Sequence, residues 1–205
     1  KIQAKVISGN EEAVLVKQAI LQLTSKLKSN HLIMDIGGGS VEFSYIADNA
    51  FSVSLNAGVR RLQEQLGLGN QLDEQKQNKI SEFLEKATQV FGKTQDIKAL
   101  VGCSGTMETL FQLMDFNLDK DLLRCDSKSA LKVLNFWINS NQNQRDSKVL
   151  IPEFRAELLP IGFSIIRFYL EKFNIPSLYY SKFGLKEALF FEDLKHRYAQ
   201  GTDHR

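Results

Sequence analysis

Residues 32–46 read LIMDIGGGSVEFSYI: an apolar run, three consecutive glycines, then strict alternation that begins at once. No helix fits between the two runs, because apolar–polar alternation has the two-residue period of a strand. The segment is therefore a β-hairpin, and the chain around it needs an antiparallel pair, not a βαβ unit. A two-residue hairpin requires one or two residues at positive φ, so a third glycine signals a backbone that something else approaches closely. Alternation puts Ser40, Glu42 and Ser44 on one face and Val41, Phe43 and Tyr45 on the other, the polar face following the mouth of the turn.

The rest of the 205-residue chain has room for one α/β domain with a sizeable core. A formal charge of +2, with the charges interspersed, argues against nucleic acid or a membrane surface as partner. No apolar run approaches the roughly 20 residues of a membrane span, and the start KIQAKVISGNEEA lacks a signal peptide's apolar stretch, so a cytoplasmic protein is expected. Cys103 and Cys125 make neither a disulfide framework nor a metal-binding spacing, in keeping with a reducing compartment. His31, His196 and His204 likewise lack metal-ligand spacing.

Along the chain, residues 1–8 (KIQAKVIS) read as a strand with Ile2, Ala4 and Val6 on one face, an unusual way for a chain to begin. Helical spacing follows over residues 10–27, with Ser8 and Asn10 as caps. The hairpin and the run FSVSLNAG, reached through the turn Asp48–Asn49, form a three-stranded antiparallel meander. A helix begins near Val59, a longer amphipathic one covers about Leu72 to Gly92, and KALVG is a short strand. From Ser104 onward the pattern is mostly helical: residues 104–114, then 127–142, then 151–173. The last is apolar nearly all round, as in a central buried helix, with Pro152 in its first turn and Pro160 at a kink. Residues 139–148 (NSNQNQRDSK) are the best loop candidate. A strand SLYYSKF, a helix after Gly184 and a polar tail GTDHR end the chain.

Three places carry residues suited to phosphate chemistry. At the hairpin, backbone N–H groups around Gly37, Gly38, Gly39 and Ser40 can converge on a phosphate, while the strand that follows excludes both a P-loop and a dinucleotide fingerprint, each of which opens a helix. Asp35, ending the first strand, can supply a carboxylate for magnesium, which takes one or two carboxylates, waters and phosphate oxygens. A plain tight turn, with Asp35 bonding the turn and Glu42 in solvent, is the competing reading. In ISGNEEA, Ser8 and Glu11 form a capping box, which leaves Glu12 free in the first helical turn; the helix dipole favours its ionised form, fit to orient a water. In GCSGT, Gly102, Ser104, Gly105 and Thr106 carry a strand into a helix N-terminus, either an anion site or an ordinary turn capped by Ser104 or Thr106. Arg60 and Arg61, after Gly58, either pair with phosphate or lie on a solvated face.

The order of ISGNEEA, DIGGGSVE, NAGVRRL, GCSGT and GLKEAL resembles the exopolyphosphatase and guanosine pentaphosphatase (Ppx/GppA) family of the actin-like sugar-kinase superfamily. The resemblance covers nearly the whole chain. It implies a ribonuclease H-like, actin-like lobe: a mixed sheet with an antiparallel hairpin and surrounding helices. By the same resemblance residues 1–205 are the second lobe only, the first, with its own DxGS loop, having no counterpart here. Glu12 matches the glutamate that activates the attacking water. Asp35 and Glu42 match metal-contacting positions, Gly37, Gly38, Gly39 and Ser40 the phosphate loop, and Gly102, Ser104, Gly105 and Thr106 a supporting turn. Val41 stands where the family usually has threonine, and Lys186 where it has arginine, which loses bidentate geometry.

The implied activity is hydrolysis of a phosphoanhydride, releasing terminal orthophosphate from inorganic polyphosphate or pppGpp, with Mg²⁺ or another divalent cation. The isolated lobe is expected to be inactive without its partner lobe. The resemblance also suggests a homodimer, with the late helices as candidates. A non-catalytic phosphate sensor of the same fold is the alternative, and a kinase or chaperone lobe a weaker one, since ISGNEEA suits water rather than a sugar hydroxyl.

Overall fold

In the computed structural model, which describes residues 6–23, 27, 30–47, 50–92 and 96–201 (side chains of residues 23 and 195–201 excepted), the glycine turn joins β1 (His31–Ile36) to β2 (Val41–Ile46). β3 (Phe51–Leu55) completes the antiparallel meander. β4 (Ala99–Gly102) runs parallel to β1, while β5 (Leu122–Asp126) and β6 (Ser177–Ser181) make the other edge, in the order β3-β2-β1-β4-β6-β5. The parallel pairs β1–β4 and β4–β6 need long crossovers, which helices supply.

The helices are α1 (Gly9–Leu23), α2 (Val59–Leu66), α3 (Glu74–Ala87), α4 (Gly105–Leu113), α5 (Ser127–Ile138), α6 (Gln142–Asp146), α7 (Glu153–Ala156), α8 (Leu159–Lys172) and α9 (Leu185–Gly201). Strand alternation divides the core in two. Leu32, Met34, Phe43 and Leu100 face α3, α4, α5 and α8 in the larger cluster, and Ile33 and Val101 meet Val16 and Ile20 of α1 in the smaller one. Phe43 and Tyr169 of α8 lie 4.6 Å apart, ring centre to ring centre, and Phe91 is 4.9 Å from Phe43. The Tyr169 hydroxyl shares a 3.1 Å hydrogen bond with Thr88, satisfying both buried groups.

The polar face of β2 is not left to solvent. Helix α1 lies across it, and Val41 through Tyr45 are all buried. Ser44 donates to the Ala13 carbonyl at 3.0 Å and shares a 2.7 Å bond with Ser52, while Asn10 accepts the Ser54 N–H at 2.9 Å. The Ser8–Glu11 capping box forms as expected: Ser8 N–H reaches Glu11 at 2.7 Å and Glu11 N–H reaches Ser8 Oγ at 3.2 Å.

Several expectations need correction. The helical reading after Ser104 misses β5, whose short DLLRCD pattern carries too few apolar residues to announce an edge strand; its pairing with β6 makes it one. Residues 151–173 are two helices, not one kinked helix: Pro160 sits in the first turn of α8, where its missing N–H costs nothing. The expected loop at 139–148 contains α6, opened by a capping box between Asn141 and Gln144. The expected strand at residues 1–8 falls largely outside the described residues; residues 6–8 lead into α1 without strand pairing. The turn at Asp48–Asn49, residues 24–26 of the expected helix, the polar tail after Gly201 and the side chains of His196 and His204 also lie outside them, and Leu27, where that helix was expected to end, is not helical.

Helix α6 delivers Arg145 to the interior, where it is 0% exposed. Its guanidinium donates to the carbonyls of Ala156, Ser140 and Asn70 and to the side chains of Ser140 and Gln142. One planar fork thus ties α6, α7, the end of α5 and the α2–α3 loop together, a geometry that a lysine ammonium cannot reproduce. We expect Arg145→Ala to cost about 3 kcal/mol in urea unfolding, through stranded buried carbonyls, with Arg145→Lys recovering less than half of that loss.

Candidate functional site

The glycine turn is fastened from behind. Val59 N–H donates to the Gly37 carbonyl at 3.1 Å, Arg60 and Arg61 N–H both donate to Gly38 at 2.9 and 3.1 Å, and Arg61 Nε holds the Gly39 carbonyl at 2.7 Å. Gly37 N–H closes the turn on the Ser40 carbonyl at 2.9 Å. The first N–H groups of α2 are therefore spent on the turn's carbonyls. The N–H groups of Gly38, Gly39 and Ser40 make no hydrogen bond among the described residues.

None of the three glycines takes a left-handed φ, so positive φ is not why they are glycines. A Cβ on Gly38 or Gly39 would meet nothing nearer than 3.9 Å. Neither a left-handed backbone nor protein crowding demands glycine there, so the space in front of both stays open. Gly58 is the opposite case: its Cβ would stand 2.4 Å from Ser40 N and 2.5 Å from the Gly38 carbonyl.

Across the sheet, antiparallel register sets Asp35 opposite Glu42 and Glu42 opposite Ser54, putting all three on one face. Glu42 is 3% exposed and accepts from Ser54 Oγ at 2.7 Å, so it is not the solvated residue of the plain-turn reading. Parallel register with β4 brings Cys103 beside Asp35, and α1 brings Glu12 over the same end. Burial, then the charges of Glu42 and Glu12, push the Asp35 carboxyl up to about 6, while a hydrogen bond with the Cys103 thiol opposes the rise. Glu12 is also raised, by burial and then by Glu42, against the direction the helix dipole alone would give. Burial drives the Cys103 thiol well above its usual range, and it stays protonated beside Asp35.

Two adjoining cavities result. One, of about 400 Å³, is lined by Glu12, Asp35, Ser104 and Gly105 together with Lys182 and Lys186. The other, of about 240 Å³, lies between the two glycine turns, with Gly37, Gly38, Gly105 and Thr106 on its walls beside Arg60. Gly105 and Arg155 line both. Glu42 stands behind Asp35 rather than on a cavity wall, and Gly39 and Ser40 serve the turn itself. Gly102 has a packing reason of its own, since Met107 fills the space its Cβ would take, 2.3 Å away. Of the paired arginines, Arg60 faces a cavity while Arg61 orients the loop.

Arg155 and Lys182 were not singled out from the sequence. Arg155 pairs with Glu108 at 3.2 Å and lies against Gly105, where a Cβ would collide with its guanidinium. Nothing local marks either residue; both reach the cavities through long-range packing. Among the described residues no group of three or more His, Cys, Asp or Glu side chains is arranged to hold an ion alone. The donors near Asp35 are hard carboxylate oxygens, which suit a magnesium that takes its remaining ligands from water and phosphate.

Two outcomes follow from this geometry. The folded Asp35 carboxyl binds its proton more tightly than the usual carboxyl at 3.8, so without a divalent cation stability should fall as pH rises from about 4 through 6. The effect is on the order of 3 kcal/mol, and Asp35→Asn should melt several degrees higher than the parent at pH 8 yet close to it at pH 4. Separately, Gly58→Ala should destabilise the fold by about 2 kcal/mol in denaturant titration, because its methyl collides with the backbone of the glycine turn.

Residues 1–197 match the Ppx/GppA phosphatase family. The chain is 29% identical over 189 residues to a bifunctional 3-dehydroquinate synthase/phosphatase of Fusobacterium nucleatum, a match over 85% of this chain and 28% of that protein. Its fold superposes on an exopolyphosphatase from Cytophaga hutchinsonii with a TM-score of 0.86 at 23% identity, over 95% of this chain and 66% of that one. It superposes on the Aquifex aeolicus Ppx/GppA phosphatase with a TM-score of 0.77 at 23% identity, over 90% and 63%. The chain thus spans less than two thirds of each of these relatives. Its six-stranded mixed sheet and flanking helices are the actin-like, ribonuclease H-like lobe that the motifs suggested. With a match spanning residues 1–197, the chain belongs to the Ppx/GppA phosphatase family.

Proposed function

We propose that this chain is the phosphate-seating and water-activating part of a phosphoanhydride hydrolase that releases terminal orthophosphate from inorganic polyphosphate or pppGpp. The observation that carries the reading is the convergence of Glu12, Asp35 and two glycine turns on adjoining cavities. The resemblance of the fold to exopolyphosphatases supports the substrate class. Both substrates offer the same anhydride-linked terminal phosphate, so one loop serves either.

The terminal phosphate sits against Gly37–Ser40, where the unpartnered N–H groups of Gly38, Gly39 and Ser40 meet its equatorial oxygens while Arg60 adds positive charge. Glu12 orients a water for in-line attack on phosphorus and takes its proton. The bond to the bridging oxygen breaks as the new one forms, and the leaving phosphate departs with that electron pair. The raised affinity of Glu12 for a proton makes it a better base than an ordinary surface glutamate. Asp35, with Glu42 behind it, is where magnesium would be held, and the ion would supply charge neutralisation on the phosphate oxygens. The clustered carboxylates, costly to one another without it, fit that role.

Relatives are longer than this chain, and a preceding lobe with its own phosphate loop completes the cleft in this reading. In the full-length protein, Glu12→Gln and Asp35→Asn should each lower orthophosphate release from polyphosphate and pppGpp by roughly 10²–10⁴-fold, the range for losing a positioned base. Wild-type turnover in either variant would remove that residue from the mechanism.

A further inference from the structure

Helix α4 begins with an arrangement that the reaction above leaves unused. Ser104 occupies its N-cap position but makes no capping bond, and its hydroxyl, on a residue 8% exposed, has no hydrogen-bond partner. Buried hydroxyls are ordinarily satisfied, so an orphan on a cavity wall points to a missing acceptor or donor in that cavity. Glu108 is the first residue of the helix whose N–H finds a backbone acceptor, which leaves the N–H groups of Gly105 and Thr106 uncapped among the described residues.

The same cavity is edged by Lys182 and Lys186, neither of which has a carboxylate partner among the described residues. Of the four carboxylates on its wall, Glu12 and Asp35 belong to the reaction site described above, Glu108 is engaged by Arg155 at 3.2 Å and Glu187 by the Gly184 N–H at 2.8 Å. An uncapped helix N-terminus, an unsatisfied hydroxyl and two unpaired ammonium groups are jointly complementary to a phosphate.

We propose that the N-terminus of α4 is a second phosphate seat, in which Ser104 Oγ, the Gly105 and Thr106 N–H groups, Lys182 and Lys186 hold the phosphoryl group next to the scissile one. The proposal rests on the hydrolase reading, and Gly105, common to both cavities, makes the two seats neighbours. A substrate with two or more linked phosphates would engage both seats, whereas orthophosphate would occupy one. The same chemistry could instead retain released orthophosphate, and the choice of probe separates the two sources.

Calorimetric titration of the full-length protein with inorganic tripolyphosphate and with orthophosphate, at fixed magnesium and ionic strength, tests this with Ser104→Ala, Lys186→Gln and Gly38→Val. Ser104→Ala should weaken tripolyphosphate binding about tenfold, the effect of one hydrogen bond to a charged group, and Lys186→Gln by about threefold to tenfold. Ser104→Ala should melt no lower than the parent, since it removes an unsatisfied buried hydroxyl; a melt at each titration confirms that the variants are folded. A loss confined to tripolyphosphate assigns the seat to the adjacent phosphoryl group, and an equal loss for orthophosphate assigns it to the free ion. Unchanged affinity for both probes in folded Ser104→Ala and Lys186→Gln overturns the seat. Gly38→Val reports on the hairpin loop separately: if it alone costs affinity, the loop reading stands without the second seat, and if it costs none, the loop reading fails on its own terms.

Discussion

The capture of the glycine turn by the first turn of α2 is the interaction on which the rest of the site depends. A helix N-terminus would ordinarily point its free N–H groups at a ligand. Here those of Val59, Arg60 and Arg61 point at the Gly37 and Gly38 carbonyls, and the Arg61 side chain takes the Gly39 carbonyl. With its acceptors held from behind, the turn leaves the N–H groups of Gly38, Gly39 and Ser40 without a partner among the described residues. These bonds fasten the loop without any of its residues at positive φ.

A second constraint is electrostatic. Asp35 and Glu42 face each other across β1 and β2, and α1 lays Glu12 over the same end. Burial and mutual repulsion raise the proton affinity of Asp35 and Glu12, so the fold bears a cost at neutral pH for keeping them together. Perturbed carboxylates of this kind are concentrated at functional sites. Ser54, Cys103 and the capping box at Ser8–Glu11 are what hold the cluster in place: the first bonds Glu42, the second bonds Asp35 and the third aims the first turn of α1.

Much of this was legible in the chain of letters. The hairpin, its companion strand, the capping box, the helices around residues 59–91 and the strand-to-turn-to-helix run at Gly102–Thr106 all follow from local periodicity and cap chemistry. Harder to read were β5, whose apolar pattern is slight, and α6, whose composition is that of a loop while its buried side chain is an arginine. The kink assigned to Pro160 failed because proline fits a helix start as well as a bend, and here the chain breaks between α7 and α8 just before it.

By itself the sequence determined which residues are suited to the proposed chemistry: a glutamate in a first helical turn, an aspartate at a strand end and a run of glycines in a hairpin turn. These are local properties, written within a few residues of each position. The tertiary structure alone decided their company. Cys103 meets Asp35 because β4 pairs in parallel with β1, Glu42 is buried because α1 crosses β2, and Lys182 and Arg155 reach the cavities from β6 and α7. Pairings between residues far apart in the chain leave no trace in a local pattern, because their register is set only when the strands and helices pack into one core.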